Sequence, residues 1–242
     1  MKQSILFIST LLMVLSANAQ TRGTHSGATG VGGNFEIQNN DGKMIPIGAK
    51  EDTKGSPLLF EHWVKGTVIL KNGVQFKDTA LNYSLFEDKL YFKRLNQFYI
   101  VQGAISEFYL ANANEPTDSS LLHFVGGYPP TKITNGTHFF QVLADGRRYQ
   151  LLKWARKKIR ETYTYGGPTE TAYVQQEAYC IFEKNSRTMF EVSNKPNVTA
   201  IKNTLSIDES IWKAYLHDQL GNKKTEAGMI DFINYINKSL TD

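Results

Sequence analysis

LFEHWVKGTVILKNGVQFKDTALNYSLFEDKLYFKR, residues 59–94, alternates apolar and polar side chains on both sides of Asn72-Gly73. Alternation with period two marks half-buried strands, and Asn-Gly between them marks a hairpin. The register follows from the faces. A two-residue Asn-Gly turn pairs Ile69 with Phe76 and Leu70 with Gln75, which mixes the faces. A three-residue loop, Lys71-Asn72-Gly73, pairs Leu70 with Val74 and Val68 with Phe76, so Val64, Val68, Leu70, Val74 and Phe76 share one side. A one-residue slip would turn every side chain to the other face, so the three-residue loop is expected, with Gly73 in the left-handed region. Apolar parity changes between Phe76 and Leu81, and a bulge near Thr79-Ala80 restores the facing. A turn at Glu87-Asp88 then sets Leu85 opposite Leu90 and Tyr83 opposite Phe92. Another at Asn96-Gln97 leads into FYIV and ISEFYLA.

The pattern continues outward. Residues 112–118 and 126–137 read as loops. HFFQVLADGRRYQLL turns at Asp145-Gly146, a strong hairpin signal, pairing Val142 with Tyr149 and Phe140 with Leu151. AYCIFEKNSRTMFEV turns at Asn185-Ser186. Tyr179, Ile181, Phe190 and Val192 share one face, and Cys180, Phe182 and Met189 take the other, so this pair is expected between layers. Short strands with frequent turns predict a mainly β (α+β) protein, an antiparallel sandwich or barrel-like meander. After Leu205 the period becomes helical. Ser206 and Glu209 form a capping box before one helix, and a second starts near Thr225 with Met229, Ile233, Ile236 and Leu240 as its stripe. A C-terminal pair of helices is therefore expected over 205–242, docked on a β domain of 58–204.

The N-terminus carries a different message. Lys2, the apolar run Ile5–Leu15 and Ala17-Asn18-Ala19 form a secretory signal peptide over 1–19, with cleavage before Gln20. Residues 20–57 read as a flexible Gly-rich segment, with a short hairpin over 35–47. No further run suits a transmembrane helix, which needs roughly 20 apolar residues. Export places the chain in the periplasm or outside the cell, peripheral to the outer membrane at most. The leader's Lys2 lowers the net charge of +4 by one, too mild a balance for nucleic acid. The single cysteine, Cys180, excludes an intrachain disulfide.

No catalytic or metal pattern stands out. The histidines 25, 62, 123, 138 and 217 lack metal-ligand spacing, and no G-x-S-x-G elbow occurs. Cys180 sits mid-strand and reads as a small packed side chain. Nothing calls for a cofactor. The one feature above background is RRYQLLKWARKKIR, 147–160, with Arg147, Arg148, Lys153, Arg156, Lys157, Lys158 and Arg160. Extended, it puts Arg156, Lys158 and Arg160 on one face with Trp154. Helical, it surrounds a Leu151-Ala155-Ile159 stripe with charge. Either way it is a solvated face, or a site for an anionic partner such as an envelope component or another protein. The 14 Phe, 12 Tyr and 3 Trp fill a β core or line an apolar cavity.

GSPLLFEHWVKGTVILKNG, LNYSLFEDKLYF, FFQVLADGRRYQLLKWARKK and the helical end resemble a group of uncharacterised exported β-rich proteins of Bacteroidota. The resemblance spans most of 55–240 and implies an envelope or secreted location; it carries no activity and no residue roles. Three functions stay open: a non-enzymatic binding module of the envelope, a periplasmic carrier holding an apolar ligand in a β cavity, and an enzyme of unrecognised type.

Overall fold

The computed structural model describes residues 52–95, 97–112, 120–163, 165–218 and 223–239. The signal peptide, its cleavage site, the segment 20–51 with the hairpin expected at 35–47, and most of loop 112–118 lie outside the described residues. Ten strands follow: β1 (Val64–Leu70), β2 (Gln75–Ser84), β3 (Lys89–Arg94), β4 (Gln97–Ile100), β5 (Ile105–Ala111), β6 (Leu121–Val125), β7 (Phe140–Asp145), β8 (Tyr149–Thr162), β9 (Glu170–Glu183) and β10 (Thr188–Ser193). Three helices close the chain: α1 (Val198–Thr204), α2 (Glu209–Asp218) and α3 (Glu226–Ser239). The mainly β, antiparallel architecture is as the sequence predicts. The strands make one open sheet in the order β10-β9-β8-β7-β6-β5-β1-β2-β3-β4. It is two meanders, β1–β4 and β5–β10, joined along β1 and β5.

The sheet is strongly rolled. Neighbouring strands lie about 4.8 Å apart, so β2 and β6, three steps apart, would be roughly 14 Å apart if flat. Yet the rings of Tyr83 on β2 and Phe124 on β6 have centroids 5.5 Å apart. Further round, the Lys157 amide of β8 donates to the Leu85 carbonyl just after β2, at 2.9 Å. The link from Ile100 to Ile105 crosses four strand positions in five Cα steps, which reach at most roughly 18 Å. It succeeds by cutting the corner, with Val101 bonded to Leu90 and Lys71 to Ala104.

Registers divide into kept and moved. Val68 pairs with Phe76, Leu70 bonds Val74, and Gly73 has φ +85°, the expected three-residue loop. The bulge falls at Lys77-Asp78, just before the expected place, with Asp78 at φ +52°. The next hairpin differs. Tyr83 pairs with Leu90 and Leu81 with Phe92, across a four-residue loop. Leu85 is drawn off the ladder because its amide bonds the Pro57 carbonyl and its side chain enters the core. Arg94 pairs with Gln97, one residue before the expected turn. At Asp145-Gly146 the expected register is overturned. Ala144 pairs with Leu151 and Val142 with Leu152, and Gly146 bonds Tyr149, so the reversal lies at Arg147-Arg148. The cause comes from α3: Asn237 Oδ1 accepts the Arg148 and Tyr149 amides, and its Nδ2 donates to the Tyr149 carbonyl.

Three cores result. Inside the roll, Val64, Val68, Leu81, Tyr83, Phe108 and Phe124 pack together. At the β7–β10 end, Leu151, Tyr179 and Ile181 meet Val198, Ile201, Trp212, Phe232 and Ile233 of the helices. On the outer face, Phe140, Leu152, Trp154 and Cys180 lie under Tyr128 and Ile133 of the 126–139 loop. Both faces of the β9–β10 pair are thus covered, as expected. Among the described residues the expected pair of helices, α2 and α3, is preceded by a third, α1. Asn197 caps α1 by accepting the Ala200 amide. The α2 cap is Asp208, whose carboxylate takes the Ser210 amide, in place of Ser206, which stands at φ +50° beyond the end of α1. Thr225 caps α3 through the Gly228 amide. Residues 52–57, grouped by sequence with the flexible segment, are pinned: Lys54 bonds Thr171 and Tyr173 of β9.

Candidate functional site

The basic run is a strand, so its side chains alternate, and the seven residues part company. Arg148 pairs with Glu183 at 2.9 Å. Lys153 lies between Glu177 at 3.3 Å and Glu226 at 3.0 Å. Burial pulls the Lys153 ammonium down, but the two carboxylates more than offset it and its net shift is upward. Lys157 turns inward, and its Nζ donates to the Leu58 carbonyl at 2.6 Å. Burial holds that ammonium below the usual lysine value, with Glu61 acting the other way. Arg147 is exposed at the far end of the run. That leaves Arg156, Lys158 and Arg160, exposed at alternate positions of one face, with no carboxylate partner among the described residues. Alternate strand positions stand about 7 Å apart.

The opposite face of the same hairpin is packed. Tyr173 meets Phe86 edge-on at 5.5 Å, and the Lys157 backbone bonds Leu85. The cations therefore face outward by construction. Beside them runs an open groove of about 490 Å³ lined by Ile133, Trp154, Arg156, Lys158, Glu177 and Asn194, in which Glu177 pairs with Lys153 and not with the row. At the hairpin tip Tyr163 and Tyr165 are exposed.

A second concavity lies inside the roll, where the β1–β6 core stops short of the helix-covered core. It holds about 320 Å³. Its floor is Leu59, Leu85, Leu122, Phe124 and Phe139, and its rim carries Gln141, Lys153, Glu177 and Glu226. Lys153 reaches the rim because Leu151, Lys153, Ala155 and Lys157 share the concave face of β8. Glu226 stands in the first turn of α3, where the helix dipole favours negative charge. The Tyr179 hydroxyl donates to it at 2.9 Å.

A third group escaped sequence reasoning altogether. Asp88, at φ +57° in the β2–β3 loop, accepts the Tyr83 hydroxyl and pairs with His138 Nδ1. Burial, then the charge and hydrogen bond of Asp88, push the Tyr83 phenol well above its usual value, so it stays a neutral donor. The crevice beside it holds only about 80 Å³ and offers no serine, threonine or cysteine as nucleophile. The trio ties the β2–β3 loop to the 126–139 loop. No spacing links positions 83, 88 and 138, so no sequence signal could have found it. Cys180 is fully buried, and burial pushes its thiol up to about 12, which suits packing and not nucleophilic attack. Among the described residues no three His, Cys, Asp or Glu side chains gather as metal ligands, and no helix is long and apolar enough to cross a membrane. No family model matches the chain, and neither a curated protein nor a solved structure matches it.

Proposed function

We propose that this is an exported, non-enzymatic binding module of the bacterial envelope that docks on an anionic surface through the β8–β9 hairpin. The observation that carries the reading is the row Arg156, Lys158 and Arg160, exposed and unmatched by carboxylates among the described residues. Cations are usually distributed among opposite charges, as Arg148 and Lys153 are. A one-sided row on a projecting arm attracts phosphate or carboxylate, and arginine can grip either with two hydrogen bonds. Exposed tyrosines at the tip suit a surface that is wet outside and apolar beneath. The signal peptide and the resemblance to Bacteroidota proteins support the location.

Each Lys or Arg near an anionic bilayer contributes about 1 kcal/mol. Arg156→Gln/Lys158→Gln/Arg160→Gln should therefore weaken retention on vesicles of anionic phospholipid by roughly a hundredfold at low salt. Added salt should shrink the difference, because the Debye length falls to roughly 8 Å at physiological ionic strength. Equal retention of both proteins at low salt would leave the row as a solvated face and end the proposal.

A further inference from the structure

Strand β9 has an edge that its neighbours leave partly uncovered. Lys54 covers one end, accepting the Tyr173 amide and donating to the Thr171 carbonyl. β10 covers the other end and stops at Ser193, opposite Tyr179. Between them lie residues 174–178. In an antiparallel strand the amide and carbonyl of one residue point to the same side, and successive residues alternate. Thr171 and Tyr173 face Lys54, so Gln175 and Glu177 face that edge too, and no described residue bonds their amides or carbonyls there. The gap is roughly 17 Å long. The groove of about 490 Å³ runs along it, lined by Gln175, Glu177 and Ala178 of β9. An open stretch of edge, closed at both ends, has room for one short strand.

We infer that this gap takes an extended acidic segment of a partner protein as an added strand of the sheet. The inference rests on the reading of the β8–β9 hairpin as a docking arm and names a protein as what it docks. Gln175 and Glu177 offer the incoming backbone two donors and two acceptors, and the side chains beside them set the choice of partner. On the outer face Trp154, Arg156 and Lys158 stand opposite Ala178, Gln176 and Val174. A side chain of the added strand beside Ala178 meets Trp154 and Ile133, so it is apolar. The next two on that face lie two strands from β8, about 10 Å, within joint reach of a glutamate and the Arg156 or Lys158 side chain, so they are acidic. Glu177 turns to the other face and pairs with Lys153, which leaves the cations of the groove for the partner. A second copy fits badly. Its β9 is unbroken over Glu170–Glu183 and would collide with Lys54 and Asn194 at the ends of the gap. Its short edge strand β4 carries no carboxylate.

The probes are acetyl-TVTETET-amide, its reverse acetyl-TETETVT-amide, and the same two with lysine in place of glutamate. Each is titrated into the full-length protein at low salt, with amide hydrogen exchange followed residue by residue. A glutamate peptide should bind about tenfold or more tighter than its lysine twin. Gln175 and Glu177 should gain protection only when it is bound. N-methylation of the peptide backbone should abolish binding, which charge attraction alone would not do. Arg156→Gln/Lys158→Gln should bring the glutamate and lysine peptides to about equal affinity. Equal affinity for the wild-type protein would overturn the acidic partner. Protection of Gln175 and Glu177 in the free protein would overturn it as well. The occupant would then be a second copy if protection grew with protein concentration, and the chain's own residues 20–51 if it did not. No peptide binding while anionic vesicles still retain the protein would overturn the added strand and leave the docking reading; loss of both would end both. These comparisons use the wild-type chain, so they decide the matter even where a variant fails to fold.

Discussion

The two halves of the sheet bury their concave faces by different means. Strands β1–β6 roll until Tyr83 of β2 reaches across the hollow to Phe108 of β5 at 5.3 Å and Phe124 of β6 at 5.5 Å, with Phe139 edge-on to Phe108. Strands β7–β10 are covered by the helices instead, with Phe232 of α3 against Trp212 and Tyr215 of α2. A self-packed half is stabilised by partners on adjacent strands. A helix-packed half depends on groups that arrive much later in the chain. The cavity marks the boundary, where neither kind of packing reaches and charged side chains take over.

The sharpest way to break this comparison is to hollow out each half in turn. Phe108 and Phe232 are both fully buried, and truncation to alanine should cost about 3–5 kcal/mol at either place. Hydrogen exchange should separate them. Phe232→Ala should lower protection in α1–α3 and β8–β10 before β1 and β2, whereas Phe108→Ala should do the reverse. Uniform loss of protection in both variants would mean that the halves are one cooperative unit.

The bridge between helix and hairpin is the next target. Asn237→Ala strands the buried Tyr149 amide together with the Arg148 amide and leaves the Tyr149 carbonyl with Gly146 alone, which should cost about 1–3 kcal/mol. Gly146 is part of the same contact, because a Cβ there would lie 2.0 Å from Asn237 Nδ2. Gly146→Ala should therefore be destabilising in the parent and much milder beside Asn237→Ala in a double-mutant cycle. Additive costs in chemical denaturation would show that the two positions do not communicate. The smallest effect is at Gly73, where a Cβ would meet open space and only φ +85° opposes it. Gly73→Val should cost about 1–2 kcal/mol, confined to the β1–β2 hairpin; a cost near zero would show the loop rearranging freely.

What could be read in advance follows the same division. Leu70 and Val74 were legible because their pairing depends only on local parity and a glycine between them. Tyr83 opposite Leu90 was not, since a shift of two residues keeps every side chain on its face and only the Pro57 carbonyl decides between the choices. Asp145-Gly146 misled because Asn237, far along the chain, outbids the local turn preference. Helix α1 is too short to show a period, and its Asn197 cap precedes no apolar stripe of useful length. The basic run showed its charge but not its company. Glu183, Glu177, Glu226 and the Leu58 carbonyl claim three of its cations, and each lies remote in sequence.

The place of β1 has a consequence for synthesis. Among the described residues it is the first strand of the sheet, yet it lies in the interior, with β2 on one edge and β5 on the other. A chain that emerges N-terminus first supplies β2 almost at once, but the other edge stays open until residue 111 has followed. During that interval a valine- and isoleucine-bearing edge offers its amides and carbonyls to any neighbouring nascent chain. Weakening β5 therefore prolongs the exposure of β1, and the loss appears first as aggregation during production, before it appears as a lower melting point of the finished protein.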